Sequence, residues 1–207
     1  MVMDIFRVQV INRHRLLTDG EGVTTLVGLY ACPLHCKYCI NKDVLNKSKF
    51  MVMSPEQLWE RVKIDYCYFL STGGGLTFGG GESLIYSEPI IKFMDILPEG
   101  VLVNLETSLN YDTPFFDEII KRVDSLIIDI KSLDDGIYQE YTGKSSKFMK
   151  ENLKKILDSG YKDKCTLRVP VIPEFVDEQE AGKEKETLHS MGFPNVEVFP
   201  YIIRDYM

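Results

Sequence analysis

Six short β-rich runs alternate along the chain with five amphipathic helical ones, and this alternation constrains the fold more than any other feature. The runs lie at residues 23–30, 76–78, 101–105, 125–128, 166–169 and 196–199, preceded by an extended segment at 5–11. The first helix is announced by Ser54 as N-cap, Pro55 in the first turn and Gln57 completing a capping box, with Leu58, Val62, Tyr66 and Phe69 on its apolar stripe. Ile90, Met94 and Leu97 mark a second helix. A third opens at Thr113-Pro114 with Phe116, Ile119 and Ile120 inward. Met149, Leu153, Ile156 and Leu157 mark a fourth, closed by Gly160, and Ala181, Leu188 and Met191 a fifth over 177–191. The strands read as apolar on both faces, which implies parallel pairing through right-handed crossovers. Two architectures satisfy this, an open doubly wound sheet and a partial barrel. The 207 residues fall short of the about 250 of an eight-unit barrel. The expectation is an α/β, partial (β/α)6 TIM-type barrel in a single domain, residues 1–207, with its core at 19–201 after an extended segment at 1–18.

Composition narrows the class. With 44% hydrophobic and 27% charged residues the chain has material for one core, which excludes disordered and fibrous architectures. A net charge of −7 argues against a nucleic-acid binder or a basic membrane-surface protein. The start, Met1-Val2-Met3-Asp4-Ile5-Phe6-Arg7, lacks a signal pattern, and no apolar run approaches the about 20 residues that span a bilayer. A cytoplasmic protein is expected, in which thiols stay reduced and cysteines read first as metal ligands or reactive groups.

Reactive or charged residues close five consecutive strands. After the first comes Cys32-Pro33-Leu34-His35-Cys36-Lys37-Tyr38-Cys39, after the second Gly79-Gly80-Gly81-Glu82, then Glu106-Thr107, Asp129-Ile130-Lys131, and Arg168 with Pro170. Functional groups of parallel barrels gather at this end. Three cysteines within eight residues can wrap one inorganic centre, and the absent fourth suggests an open coordination position. A zinc site using His35 is the competing interpretation. Cys67 and Cys165 stand apart and read as core residues. The glycines could cradle phosphate, but the Lys-Ser/Thr ending of a P-loop is missing. They also suit close approach of backbone to a ligand, whose ammonium group Glu82 and free carbonyls could receive. Lys131 could meet a carboxylate, and Glu106 and Asp129 could accept from hydroxyls or favour a cation. Taken singly, each charge could equally be surface or helix-capping.

Cys32-x3-Cys36-x2-Cys39, with Tyr38 before the third cysteine, and Gly80-Gly81-Glu82 after a strand resemble the signatures of the radical S-adenosylmethionine superfamily. Within it the chain is most similar to activating enzymes of glycyl radical enzymes, of the pyruvate formate-lyase type. The similarity is carried by Asp19-Gly20-Glu21-Gly22, Thr77-Phe78-Gly79-Gly80-Gly81-Glu82, Leu105-Glu106-Thr107, Ile128-Asp129-Ile130-Lys131 and Leu167-Arg168-Val169-Pro170-Val171-Ile172-Pro173. The resemblance implies a [4Fe-4S] cluster on Cys32, Cys36 and Cys39, whose fourth iron takes the amino and carboxylate groups of S-adenosyl-L-methionine. It places Gly80, Gly81, Glu82, Glu106 and Thr107 near the amino group, Lys131 near the carboxylate, Asp129 near the ribose or a cation, Tyr38 and Val169 near the adenine, Arg168 in the same cofactor site, and Asp19 beside the substrate. It further implies an anaerobic oxidoreductase that takes one electron from reduced flavodoxin or ferredoxin, forms a 5′-deoxyadenosyl radical and abstracts hydrogen from a glycine of a partner glycyl radical enzyme. A monomer is expected.

The chain departs from that pattern in places. Glu106 stands where these activases usually carry Asp, Ile202 where a His contacts the cofactor, and no cysteine-rich module is inserted after Cys39. The sequence stops at Met207, without the usual further strand and helix. Two rivals follow: a radical enzyme of the same superfamily acting on a peptide or small molecule, and a non-catalytic zinc-binding module.

Overall fold

The computed structural model describes residues 5–16, 18–46 and 49–203. Residues 1–4, where no signal pattern is expected, and the tail beyond Ile203 lie outside the described residues. The elements run β1 (Phe6–Leu16), β2 (Val23–Leu29), α1 (Lys42–Asn46), β3 (Met51–Met53), α2 (Pro55–Val62), α3 (Tyr66–Thr72), β4 (Gly75–Gly79), α4 (Ser87–Ile96), β5 (Leu102–Thr107), α5 (Phe116–Arg122), β6 (Ser125–Asp129), α6 (Asp135–Thr142), α7 (Lys147–Ser159), β7 (Cys165–Val171), α8 (Glu178–Met191) and β8 (Asn195–Pro200). One sheet has the order β3-β1-β2-β4-β5-β6-β7-β8. The six strands from β2 to β8 that exclude β3 are parallel, while β1 runs antiparallel to β2, and β3 antiparallel to β1. The sheet does not close among the described residues. All six expected strands form, separated by five helical crossovers, as a partial (β/α)6 barrel requires.

Local chemistry accounts for most element ends. Ser54 Oγ accepts from the Gln57 amide and the Gln57 side chain returns to the Ser54 amide. Asp177 and Glu180 make the same reciprocal pair at α8. Gly160 closes α7 in the left-handed conformation. The first expected helix is interrupted: a 3-10 turn at Lys63–Asp65 separates α2 from α3. There the buried Asp65 carboxylate accepts from Arg13 of β1 and Thr25 of β2, which pins the turn against the sheet. Cys67, expected in the core, is exposed, because it lies off the stripe of Leu58, Val62 and Phe69 that faces the sheet. Cys165 is fully buried, as expected.

The strands are not apolar on both faces. Leu76, Phe78, Val103, Leu105, Leu126, Ile128, Leu167 and Val169 are buried under the helices. The alternate positions, polar at Asn104, Ser125, Thr166, Arg168, Asn195 and Glu197 and apolar at Leu102, Ile127 and Phe199, line a mixed cavity of about 680 Å³ inside the curved sheet. A closed barrel fills its interior with apolar layers, whereas this open one holds a lumen with charged and polar side chains among apolar ones. On the helical side Phe78 stacks on Phe6 with ring centroids 5.5 Å apart, and Phe93 of α4 meets Phe78 edge-on at 5.5 Å. All three rings are fully buried. Phe78→Ala is expected to cost about 3–5 kcal/mol, the range for large aromatic truncations in cores. Urea unfolding of the apo-protein measures it.

Candidate active site

The cysteine loop is held from two sides. After β2 the chain turns at Ala31, a non-glycine residue at φ +80°. The exit of β4 secures that turn, since the Gly81 amide donates to Leu29 O at 3.0 Å and the Glu82 amide to Ala31 O at 2.9 Å. A Cβ on Gly81 would stand 2.1 Å from the Ala31 oxygen, so only glycine permits this approach. From the other side the end of α6 caps the loop: Thr142 O accepts from the His35 amide at 2.8 Å and Tyr141 O from the Lys37 amide at 3.0 Å. Cys32, Cys36 and Cys39 are half-buried and share the wall of one pocket of about 640 Å³.

That donor set fits an iron–sulfur cluster. Three thiols face one pocket from a short loop, and neither remaining cysteine can complete the set. Cys165 is the buried first residue of β7, its Sγ 3.4 Å from Tyr161 O, and Cys67 is on the outer face of α3. Among the described residues no three His, Cys, Asp or Glu side chains converge as a single metal ion needs. Burial pushes the Cys32 thiol up to about 12, and burial also raises Cys36 while Lys131 opposes it. A metal must therefore displace protons from these thiols as it binds.

Glu82 organises the strand ends. It is 1% exposed. One carboxylate oxygen accepts from Thr107 Oγ1 at 2.5 Å and the Leu84 amide at 3.1 Å, the other from Ser108 Oγ at 2.6 Å and the Ser108 amide at 3.0 Å. Four donors fill the carboxylate's lone-pair inventory, which leaves none for an ammonium group. Glu82 thus ties the exit of β4 to that of β5, and Thr107 spends its hydroxyl on the same tie. Gly80, at φ +87°, has its carbonyl bonded to Asn41 Nδ2 at 2.8 Å.

Below the loop four charges form a chain across the lumen. Lys131 Nζ donates to Asp129 Oδ2 at 3.0 Å, Arg168 Nε to Asp129 Oδ1 at 3.1 Å, and Arg168 Nη2 to Glu106 Oε1 at 3.1 Å. Burial pushes the Asp129 carboxyl up, but Lys131 and then Arg168 outweigh it and hold it below the ordinary carboxylate range. Glu106 moves the other way, raised by burial against the pull of Arg168. Glycine at position 79 makes room for it: a Cβ there would lie 2.4 Å from Glu106 Oε2. Lys131 is depressed by burial, and Asp129 and Cys36 more than restore it, so it stays cationic.

The remaining expected residues are more dispersed. Tyr38 donates its hydroxyl to Glu174 Oε2 at 2.8 Å and packs near Phe175, on the rim of the mouth. Val169 turns its fully buried side chain to the helical side, opposite to Arg168, so that only its main chain faces the lumen side. Asp19 is 3% exposed, with its carboxylate held by Arg15 and its carbonyl by the Thr77 hydroxyl. Ser108, Asn41 and the carbonyls of Tyr141 and Thr142 complete the site, none of which the motifs disclosed. Asn41 was detectable, two residues after the last cysteine. The others depend on long-range approach.

An open parallel barrel that carries a three-thiol loop at the C-terminal ends of its strands defines an iron–sulfur enzyme of the barrel type. The chain belongs to the Radical SAM superfamily, whose family model matches residues 26–182, and it uses that superfamily's [4Fe-4S] cluster and S-adenosylmethionine. The zinc-module alternative gives way to this membership. The chain is 31% identical over 188 residues to the pyruvate formate-lyase-activating enzyme of Clostridium pasteurianum, covering 89% of this chain and 78% of the relative. It is 25% identical over 276 residues to the (2S)-3-sulfopropanediol sulfolyase activating enzyme of Bilophila wadsworthia, covering 98% and 89%. In structure it is similar to SuiB of Streptococcus suis, with a TM-score of 0.66 at 15% identity over 86% of this chain and 39% of that one, a likeness of fold.

Gly81→Ala is expected to displace the Ala31 turn and sharply lower iron and sulfide bound after anaerobic reconstitution. Iron and sulfide assays against wild type, with circular dichroism to confirm folding, check this.

Proposed function

We propose that the chain activates a glycyl radical enzyme, using S-adenosylmethionine to remove a hydrogen atom from a glycine of a partner protein. The observation that carries this is the similarity to named activating enzymes along nearly the whole chain, including one at 31% identity over 89% of it. The structure adds a suitable cavity. The lumen reaches from Thr18, Gly20 and Glu21 before β2 to Asn195, Glu197 and Phe199 of β8, the last strand of the sheet among the described residues, so a protein loop can enter from the open side.

A [4Fe-4S] cluster held by Cys32, Cys36 and Cys39 would, when reduced, supply the electron for cleavage of the sulfonium carbon–sulfur bond of S-adenosylmethionine. The chain's own residues position that cofactor. Lys131, cationic and close to Cys36, receives its carboxylate. Asp129 lies between Lys131 and Arg168 with a depressed pKa and offers an anion to the ribose hydroxyls or a cation. The Gly80 and Gly81 main chain and Glu106 form the side toward the amino group, with Glu82 and Thr107 fixing that main chain from behind. Tyr38 and the main chain at Val169 border the adenine. Asp19, anchored by Arg15, borders the incoming glycine loop. A reduced flavodoxin or ferredoxin supplies the electron, and the protein works as a cytoplasmic monomer. No described helix is long and apolar enough to cross a membrane.

Two outcomes are expected. Anaerobic reconstitution with dithionite and S-adenosylmethionine yields 5′-deoxyadenosine, and Cys36→Ala stays at background. Incubation with a glycyl radical enzyme from the same organism then yields a glycine-centred EPR signal, and 5′-deoxyadenosine without that signal sinks the activation assignment while sparing the cofactor chemistry. For Lys131→Ala, loss of a charged hydrogen bond worth about 1.5–3 kcal/mol predicts about ten- to hundredfold weaker S-adenosylmethionine binding at unchanged iron content. Equilibrium binding and iron analysis read the two separately, and equal loss of both makes Lys131 a structural residue.

A further inference from the structure

Lys131 follows the end of the β6 ladder, and its backbone is held between two anchors. On one side the Ile130 amide donates to Arg168 O at 2.9 Å, which continues the pairing of β6 with β7. On the other side Glu184 of α8 takes the chain: its Oε1 accepts from Ser132 Oγ at 2.7 Å and from the Leu133 amide at 2.8 Å. Ser132 is fully buried, and its hydroxyl oxygen in turn accepts from the amide of Asp134, the N-cap of α6. The arrangement is a poor stabiliser. Glu184 Oε2 is a buried atom without a hydrogen-bond partner among the described residues. Burial raises the carboxyl above its ordinary range, and the bonds from Ser132 and then Leu133 only partly offset this. A carboxylate with two bonds on one oxygen and none on the other costs more to bury than a neutral acceptor of the same shape. What Glu184 supplies is placement, and the residue it places is the one between the anchors. Glu184 also lies outside residues 26–182, which the family model matches.

We propose that Glu184 is a positioning residue for S-adenosylmethionine, fixing the turn after Lys131 so that the Lys131 ammonium meets the carboxylate of the cofactor. It acts through Lys131 and not by contact with the cofactor. A lysine side chain is long and flexible, so its charge stays in one place only if both ends are held. Asp129 holds the far end, with Oδ2 3.0 Å from Lys131 Nζ. Glu184 holds the main chain from which the side chain springs. The inference rests on the assignment of Lys131 as partner of the cofactor's carboxylate, and it is independent of which substrate the radical acts on.

The test measures equilibrium binding of S-adenosylmethionine to reconstituted wild type, Lys131→Ala, Glu184→Gln, Glu184→Ala and the double variant Lys131→Ala/Glu184→Ala, with iron content and circular dichroism read on each. Glu184→Gln keeps a carbonyl oxygen for Ser132 and Leu133 and is expected to bind as wild type does. Glu184→Ala is expected to bind about three- to tenfold more weakly at equal iron, within the coupling range of residues in one hydrogen-bond network. On the Lys131→Ala background the same substitution is expected to add no further loss, because the residue it places is gone. Unchanged affinity in Glu184→Ala overturns the proposal. So does a loss that repeats in full on the Lys131→Ala background, one that comes with loss of iron, or one that Glu184→Gln shares, since Glu184 then acts through the fold, the cysteine loop or its charge. Wild-type binding by Lys131→Ala overturns the Lys131 assignment together with this one, whereas weak binding by Lys131→Ala beside normal binding by Glu184→Ala overturns this one alone. If Glu184→Ala fails to fold, Glu184→Asp keeps the charge and withdraws the acceptor by one methylene. Weaker binding at equal iron is then expected, and unchanged binding overturns the assignment equally.

Discussion

The mouth of this barrel depends on one buried carboxylate. Glu82 accepts four hydrogen bonds from Leu84, Thr107 and Ser108, while its own amide holds Ala31. Three parallel strands, β2, β4 and β5, are thereby joined just where they end. A carboxylate this deep is tolerated only when its oxygens are saturated, because the low local dielectric that strengthens each bond would penalise any that was missing. The cysteine turn inherits its position from this tie. Gly81 contributes the absence of a side chain, and Ala31 the positive φ that carries the loop back across the strand ends.

A second network sets the polarity of the lumen. Two cations, Lys131 and Arg168, alternate with two anions, Asp129 and Glu106, along a chain of contacts from 3.0 to 3.1 Å. The charges balance, so the lumen can take a ligand bearing both signs without a large field of either. Asp129, between both cations, is depressed. Glu106, with one cation and more burial than compensation, is raised. The difference comes from the number of partners and not from the residue type.

The open side is managed asymmetrically. β1 and β3 cover the edge of β2 as antiparallel strands. At the other edge β8 carries the exposed Asn195 and Glu197 and ends at Pro200, which has no amide to donate. A polar side chain and a missing donor discourage pairing with another sheet, while the lumen beside β8 stays accessible.

The sequence by itself determined the parallel α/β class, the six strands, the capped starts of α2 and α8, and the three-cysteine loop, because each rests on short-range periodicity or on spacing within a few residues. Tertiary structure alone decided which strand face became a lumen. Alternating residues such as Leu105 and Glu106 show the two-residue period, but whether the polar set meets water, a core or a cavity depends on curvature. It also decided that Glu82 supports the site from behind, that Val169 turns away from it, and that Cys67 faces solvent. Helix α6 escaped the sequence because its buried residues are Tyr138, Tyr141 and Thr142, which give no aliphatic stripe. Its contact with the cysteine loop joins residues about 100 positions apart in the chain, as in the bond from His35 to Thr142, and contacts at that separation exist only once the sheet has brought its strand ends to a common mouth.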